Sequence, residues 1–219
     1  MVKRFFDIIM SLLLLIIFAP LMMLIALIIR VKMGAPVLFR QLRPGLNGKP
    51  FYLYKFRTMT EAVDREVKIS DDQQRLTGTG RWIRKYSLDE LPQLINVLKG
   101  ELSFVGPRPL LMAYLDRYTS EQARRHEAKP GITGWAQVNG RNALTWEEKF
   151  ALDVWYVDNQ SLGLDLKIMM LTLLKVFKAE GISQNGSATM PEFMGYAADG
   201  EGKNKLEEEY QGNNKGVSR

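Results

Sequence analysis

Two adjacent carboxylates, Asp89 and Glu90, form the segment of this sequence with the most evident chemical potential. Arg84 and Lys85 precede the pair, and positive charges so close favour the ionised form of a carboxylate. An ionised aspartate can act as a nucleophile or as a ligand of a hard cation such as Mg²⁺. The pair could instead serve only as a helix cap with surface ion pairs, and the local sequence leaves both interpretations open.

The carboxylates are predicted to lie beside a helix N-terminus. Ser87 and Glu90 have the spacing of a capping box, but a helix that began there would lose a backbone hydrogen bond at Pro92. A helix that begins at Pro92 and ends at Gly100 avoids that loss. In both cases the helix dipole favours an ionised Asp89.

Three further motifs could contact a phosphate. Arg108 stands between two prolines in residues 106–109, and a guanidinium can form paired hydrogen bonds with phosphate oxygens, although the motif could also be a rigid turn. Lys55 begins a cationic segment, residues 55–59, after a predicted strand. The glycines of residues 129–141 allow close approach of the backbone to a ligand. Three side chains of that segment could face a nucleobase, a sugar or a phosphate: Gln137, Asn139 and Arg141.

The composition excludes several other chemistries. The 219 residues contain no cysteine and one histidine, His126, which excludes thiolate metal sites, cysteine nucleophiles and histidine-rich zinc sites. A net charge of +6 favours anionic partners such as phosphorylated substrates, anionic lipid or nucleic acid. No nucleic-acid-binding motif and no P-loop is present, and residues 78–83 lack the third glycine of a dinucleotide-binding fingerprint.

An apolar segment near the N-terminus would place this chemistry at a membrane. Residues 8–29 are interrupted only by Ser11 and Pro20, and a straight helix of that length would just cross a hydrocarbon core of about 30 Å. Lysines and arginines flank both ends, so the positive-inside rule places both ends in the cytoplasm. Pro20 would kink the helix near its middle. We therefore predict a re-entrant membrane helix over residues 1–32, with a spanning helix as the alternative.

The remaining segments predict an α/β catalytic domain of limited sheet content, mostly helical, over residues 33–196. Residues 37–40 and 51–56 are strand-like and separated by a turn-rich stretch, which fits a hairpin. Residues 132–138 appear extended. Helical patterns cover residues 61–74, 110–128, 146–158 and 164–179. Residues 197–219 lack apolar periodicity and are predicted to be a disordered tail.

The last of these helical patterns is amphipathic. Lys167, Lys175 and Lys178 share one face of residues 164–179, and the rest of the surface is broadly apolar. Such a helix could lie on a bilayer surface with its lysines at the phosphates, or it could be a core helix with a solvated stripe.

Five motifs, in this order, resemble those of the bacterial sugar transferase family, the monotopic polyprenyl-phosphate phosphoglycosyl transferases. They are residues 55–59, 87–93, 96–100, 105–109 and 130–141. The resemblance covers nearly the whole chain, to about Gly186. The chain looks like the minimal catalytic unit of the small PglC-type members, without the additional N-terminal membrane helices of larger relatives. That likeness implies UDP-N,N′-diacetylbacillosamine as the sugar donor.

The resemblance implies that Asp89 and Glu90 form a catalytic dyad that binds Mg²⁺. Asp89 would attack the β-phosphate of a UDP-sugar, release UMP and carry the phosphosugar until undecaprenyl phosphate accepts it. Glu90 would hold the metal or position the second nucleophile. The implied phosphate-binding residues are Arg108, Arg84, Lys55 and Arg141, and the implied nucleotide- or sugar-binding residues are Gln137 and Asn139.

The resemblance also implies a location and a set of partners. The family carries a re-entrant helix broken at Ser-Pro, where this chain has Ala19 and Pro20. We expect a protein on the cytoplasmic face of the bacterial inner membrane that binds the phospholipid bilayer, a UDP-sugar and undecaprenyl phosphate, but no nucleic acid. One alternative is the same reaction with UDP-galactose or UDP-glucose. The alternative from another class is a non-catalytic membrane-anchored scaffold.

Overall fold

The computed structural model describes residues 2–60, 76–140, 143–178 and 192–195, which are mostly helical with little sheet, as predicted. A hairpin pairs β1 (Leu38–Pro44) with β2 (Pro50–Phe56), and a short parallel pair joins β3 (Ser103–Val105) to β4 (Gly131–Thr133). The α-helices are α1 (Val2–Met33), α2 (Gly78–Lys85), α3 (Gln93–Lys99), α4 (Ser120–Ala123), α5 (Trp135–Asn139), α6 (Trp146–Asp158) and α7 (Leu162–Lys178). Short 3₁₀ helices cover residues 46–48, 88–90, 112–117 and 124–127.

The predicted hairpin and the predicted helices at residues 146–158 and 164–179 are confirmed. Each of them has a clear local sequence pattern. In β2, Phe51 and Leu53 alternate with more exposed residues and enter the main core. α6 begins with a complete capping box between Thr145 and Glu148. The predicted helix at residues 61–74 and the tail at residues 197–219 lie outside the described residues.

Two predicted elements are wrong. Residues 110–128 do not form one helix, because Tyr118 is extended and Thr119 starts a new helix with its own capping box. Residues 132–138 are not extended throughout, since β4 ends at Thr133 and α5 begins at Trp135. Gly134, between the two elements, lies directly against the backbone of Gly106, because a Cβ on Gly134 would be 2.2 Å from the Gly106 carbonyl oxygen.

The long helix α1 runs from Val2 to Met33 with Pro20 inside it, and its re-entrant course stays a prediction. Its two halves pack on different clusters of the domain. Leu14 and Leu15 lie against the main core, and Ile25 and Ile29 are buried in a second cluster. Side-chain contacts on both sides of Pro20 therefore support the helix where the proline removes a backbone donor.

The N-terminal end of α1 is bonded to the domain. The Arg4 guanidinium donates to the carbonyl oxygens of Val97 (2.6 Å) and Leu98 (2.7 Å), and so caps the C-terminus of α3. The buried Asp7 carboxylate accepts hydrogen bonds from the Ser103 hydroxyl (3.1 Å) and the Phe104 amide (3.2 Å). These bonds hold the first turns of α1 against α3 and β3.

The C-terminal end of α1 is bonded to the same domain. Arg57, just after β2, is buried and donates to the carbonyl oxygens of Met33, Gly34 (2.7 Å) and Ala35 (2.9 Å). This guanidinium satisfies carbonyls that the end of a helix leaves without partners. Both ends of α1 are thus held by one folded unit.

The outward surfaces of α1 and α7 are apolar. Among the described residues, α1 is the one helix that is long and apolar enough to cross a membrane, by length and composition alone. In α7, Leu166, Met170 and Leu173 are exposed while Ile168 is fully buried. This exposed apolar stripe is compatible with the bilayer-surface interpretation of α7, which stays a prediction.

Candidate active site

Two cations hold one of the two adjacent carboxylates. Glu90 Oε1 accepts hydrogen bonds from Lys55 Nζ and from Arg108 Nη2, both at 2.7 Å. Asp89 is 8% exposed, and its Oδ2 lies 3.9 Å from Lys55 Nζ. Among the residues that the structure describes, none donates a hydrogen bond to the Asp89 carboxylate. The site therefore pairs an anchored carboxylate with one whose oxygens are available.

The carboxylates lie in the 3₁₀ turn Leu88–Glu90, immediately before α3. α3 begins after Pro92 and ends at Lys99, with Gly100 as its C-cap. The φ of Gly100 is +87°, a value that suits glycine. This agrees with the second of the two predicted helices, the one that begins at Pro92. The capping box is not formed, because Ser87 makes no side-chain cap and the Glu90 side chain bonds Lys55 and Arg108 instead. The sequence pattern that suggested a structural cap thus belongs to a charge cluster.

Arg84 reaches the site from α2 with the help of Thr58. Its Nε donates to Thr58 Oγ1 at 2.9 Å, and its charge lowers the pKa of Asp89. The start of α2 lies directly against the end of β2, because a Cβ on Gly80 would be 1.9 Å from the Thr58 carbonyl oxygen. Sequence reasoning missed Thr58 as a positioning residue, although it belongs to the motif at residues 55–59.

The surroundings shift the pKa values of the two carboxyl groups in opposite directions. Burial raises the pKa of Asp89, the neighbouring Glu90 raises it further, and Lys55 and Arg84 only partly oppose this. Burial also acts to raise the pKa of Glu90, but Arg108 and Lys55 overcome it and hold that pKa well below its usual range. The nearby cations do favour the ionised form of Asp89, as the sequence suggested, but burial and Glu90 oppose them and the pKa is raised on balance.

A buried ion pair supports the backbone of Arg108. Arg125 Nη2 donates to the Arg108 carbonyl oxygen (2.8 Å) and to Asp153 Oδ2 (2.6 Å), and Arg125 Nε adds a 3.1 Å bond to the same oxygen. The side chains of Arg125 and Asp153 are only 1% and 2% exposed. The sequence predicted a single helix over residues 110–128 and did not indicate this buried support.

Two residues of the glycine-rich segment, Gln137 and Asn139, have surroundings that the structure describes. Gln137 lines a pocket of ≈ 10 Å³ with Thr133, Thr172 and Lys175, and its buried amide has no hydrogen-bond partner. That volume suits about one water molecule. Asn139 is exposed and donates to the Trp135 carbonyl oxygen.

In the described ranges, no hydrogen bond or ion pair joins Gln137 or Asn139 to the carboxylate pair. Arg141 lies outside the described residues. The ligand-binding roles of these three residues stay predictions.

The carboxylate pair is a limited metal site by itself. In the described part of the chain, no group of three or more His, Cys, Asp or Glu side chains could hold a metal ion. Mg²⁺ in enzymes is commonly bound by one or two carboxylates together with substrate phosphates and water. Asp89 and Glu90 therefore fit Mg²⁺ as a partner of a bound phosphate rather than as a closed protein site.

Comparisons with known proteins agree on one family. The family model described as "Bacterial sugar transferase" matches residues 1–179. An "Uncharacterized sugar transferase EpsL" from Bacillus subtilis is 60% identical over 193 residues, which cover 88% of this chain and 96% of that protein.

Larger relatives match over part of their length. A Klebsiella pneumoniae UDP-glucose:undecaprenyl-phosphate glucose-1-phosphate transferase is 42% identical over 80% of this chain and 40% of its own length. A Salmonella typhimurium undecaprenyl-phosphate galactose phosphotransferase is 40% identical over 82% of this chain and 41% of its own length. This chain therefore spans about two fifths of these two relatives. With a matching family model over residues 1–179 and a relative at 60% identity, the chain belongs to the bacterial sugar transferase family.

Proposed function

We propose that this protein transfers a sugar 1-phosphate from a UDP-sugar to undecaprenyl phosphate and releases UMP. The observation that carries the proposal is the dyad geometry, in which Glu90 is fixed by Lys55 and Arg108 beside a buried Asp89 whose oxygens accept no hydrogen bond from the described residues. A scaffold has no need of an unbonded buried carboxylate. The names of the larger relatives support the same class of reaction.

The transfer proceeds in two displacements at one phosphorus. An Asp89 carboxylate oxygen bonds to the β-phosphorus of the donor, and the bond from that phosphorus to the bridging oxygen breaks, so UMP leaves with the electron pair. An oxygen of undecaprenyl phosphate then bonds to the same phosphorus. The Asp89–phosphorus bond breaks and the carboxylate is restored. The acceptor phosphate is already largely anionic at neutral pH, so the second step needs little proton removal.

The cations around the dyad stabilise charge during the transfer. Lys55, Arg84 and Arg108 offer donors for the phosphoryl oxygens, on which negative charge is spread as the bonds change. Glu90 orients Lys55 and Arg108 and, with Asp89, would hold Mg²⁺ against the donor phosphates. When bound, Mg²⁺ would neutralise phosphate charge.

Activity should fall in acid at a higher pH than is usual for an aspartate. Asp89 must be ionised to attack, and its raised pKa moves protonation to higher pH, while Glu90 stays ionised because its pKa is lowered. Glu90→Gln removes the neighbouring negative charge, so the acid limb of its residual activity should move to lower pH. The measurement is kcat/KM for the donor against pH. An acid limb that moves to higher pH in Glu90→Gln would oppose this assignment.

The sugar is the least constrained part of the proposal. The likeness to small PglC-type members favours UDP-N,N′-diacetylbacillosamine, while the names of relatives at 40–43% identity specify glucose or galactose. UMP release from each of the three UDP-sugars, measured with undecaprenyl phosphate and Mg²⁺, identifies the donor. Absence of UMP release from every UDP-sugar would favour the non-catalytic scaffold.

We also propose that α1 is a re-entrant anchor and that the domain lies on the cytoplasmic face of the inner membrane. A straight helix of 32 residues is about 48 Å long, and a spanning helix would separate its ends by a hydrocarbon core of about 30 Å. Arg4 and Arg57 instead tie opposite ends of α1 to one domain. A spanning arrangement would break one of these two sets of bonds.

Single cysteines test the topology, because the chain has none of its own. Val2→Cys and Lys32→Cys place thiols at exposed positions near the two ends of α1, without disturbing the ion pair between Lys3 and Asp165. Both thiols should resist an impermeant reagent applied outside intact cells and should react after lysis. Labelling of either position from outside would support the spanning helix.

A further inference from the structure

Arg43 lies on the same face of the hairpin as Lys55. In the β1–β2 register Phe39 is opposite Lys55, and Arg43 is four residues further along β1. Side chains two residues apart share a face of a strand, so Phe39, Gln41 and Arg43 face the same side as Lys55. Four residues of antiparallel strand span about 13 Å. Lys55 and Arg43 therefore mark two ends of one surface.

Arg108 connects these two ends. Its Nη2 shares Glu90 Oε1 with Lys55, and its positive charge also acts on Arg43. Burial and the Arg108 charge lower the pKa of Arg43 to about 10, although the phenols of Tyr114 and Tyr118 oppose this. The Arg108 charge therefore acts on Arg43 as well as on Glu90.

The charge of Arg43 has no acidic partner among the described residues. Its Nη2 donates to Gln41 Oε1 at 2.6 Å, and its Nε is buried without a hydrogen bond. Asp153 forms its ion pair with Arg125, and Glu90 is shared by Lys55 and Arg108. A guanidinium that is partly desolvated and uncompensated is unfavourable unless an anion joins it.

The position of Arg43 favours an anion that arrives from water. At the Lys55 end of the hairpin, Arg57 bonds the end of α1, so that end lies next to the proposed membrane anchor. Arg43 lies at the opposite end, beside the turn at residues 44–48. A lipid phosphate would approach from the anchor side, whereas a nucleotide would approach from the other side.

We infer that Arg43 binds the phosphate of the leaving nucleotide, in a subsite next to the dyad on the side away from the membrane. The inference rests on the proposed function, because it places the α-phosphate of the UDP-sugar beside Arg43 while the β-phosphate lies between Asp89 and the cations of the dyad. Arg43 would hold the donor before the transfer and UMP after it. It would make no contact with the acceptor phosphate.

Binding of UMP and of uridine to the purified full chain tests this subsite without turnover. Arg43→Gln should weaken UMP binding at least about tenfold (about 1.4 kcal/mol) and leave uridine binding within about twofold. Arg40→Gln is the matched control, since Arg40 is exposed on the opposite face of the same strand and should leave both affinities unchanged. Thermal melting checks that each variant is folded.

The outcomes separate this inference from the proposed function. Unchanged UMP affinity in Arg43→Gln, or an equal loss for UMP and uridine, would overturn the subsite even if the parent enzyme releases UMP from a UDP-sugar. A change confined to the KM for undecaprenyl phosphate would also overturn it. If Arg43→Gln does not fold, Arg43→Lys keeps the charge but loses the planar fork, and should weaken UMP binding at least about threefold with uridine unaffected. The proposed function itself stands or fails on UMP release by the parent enzyme.

Discussion

Asp89→Asn should reduce turnover by at least about a thousandfold, which corresponds to about 4 kcal/mol of activation free energy. Asparagine keeps the shape of the side chain but cannot form the bond to phosphorus. Asp116→Asn is the control, because Asp116 is exposed and forms no hydrogen bond or ion pair among the described residues. UMP release with saturating donor and acceptor measures the effect, and turnover within about tenfold of the parent would remove Asp89 from the role of nucleophile.

The same substitution should not destabilise the fold. Burial and Glu90 raise the pKa of Asp89, so the ionised carboxylate is disfavoured in the folded state. Asparagine removes that unfavourable charge. Thermal melting should therefore show a Tm for Asp89→Asn equal to or above that of the parent at neutral pH. A marked fall in Tm would mean that loss of activity reflects loss of structure.

Asp153→Asn should produce the largest loss of stability among single substitutions near the site. The change leaves the Arg125 charge buried without its partner, which typically costs about 3–5 kcal/mol. For a chain of this size we expect a fall in Tm of about 6–20 °C. Activity should also decline, because Arg125 holds the carbonyl oxygen of Arg108.

Asp158→Asn is the matched control for this prediction. It is the same substitution on the same helix, α6, and its partner Arg124 is the neighbour of Arg125. Both side chains of that pair are substantially exposed, at 34% and 46%, and exposed pairs contribute about 0–1 kcal/mol. Equal Tm values for the two variants would contradict the structural role of the buried pair.

Local patterns predicted the parts of the structure whose causes are local. The hairpin follows from two strand-like segments around a turn, and α6 follows from the helical pattern of residues 146–158. The meeting of Lys55, Arg84 and Arg108 with the dyad was implied by family motifs. No periodicity in the sequence places those three cations, which come from β2, α2 and the loop after β3.

The features that the sequence did not predict share a physical cause, which is the burial of side chains by tertiary structure. Arg125 belongs to a polar segment that suggests a surface helix, yet its guanidinium is buried against Asp153. Asp89 has cations nearby in sequence, but desolvation and Glu90 determine its pKa. A sequence pattern indicates local secondary-structure propensity. It does not indicate how far the folded chain excludes water from an ionisable side chain.

In the proposed mechanism, Asp89 carries the phosphosugar between two displacements. The most direct measurement mixes the enzyme with its UDP-sugar and Mg²⁺ in the absence of undecaprenyl phosphate. We expect a burst of UMP no larger than one equivalent of enzyme, an increase in protein mass by one phosphosugar, and an adduct that maps to Asp89 and is absent from Asp89→Asn. UMP that appears only when both substrates are present, with no adduct that can be trapped, would contradict this mechanism and would make Asp89 a metal ligand in a direct displacement.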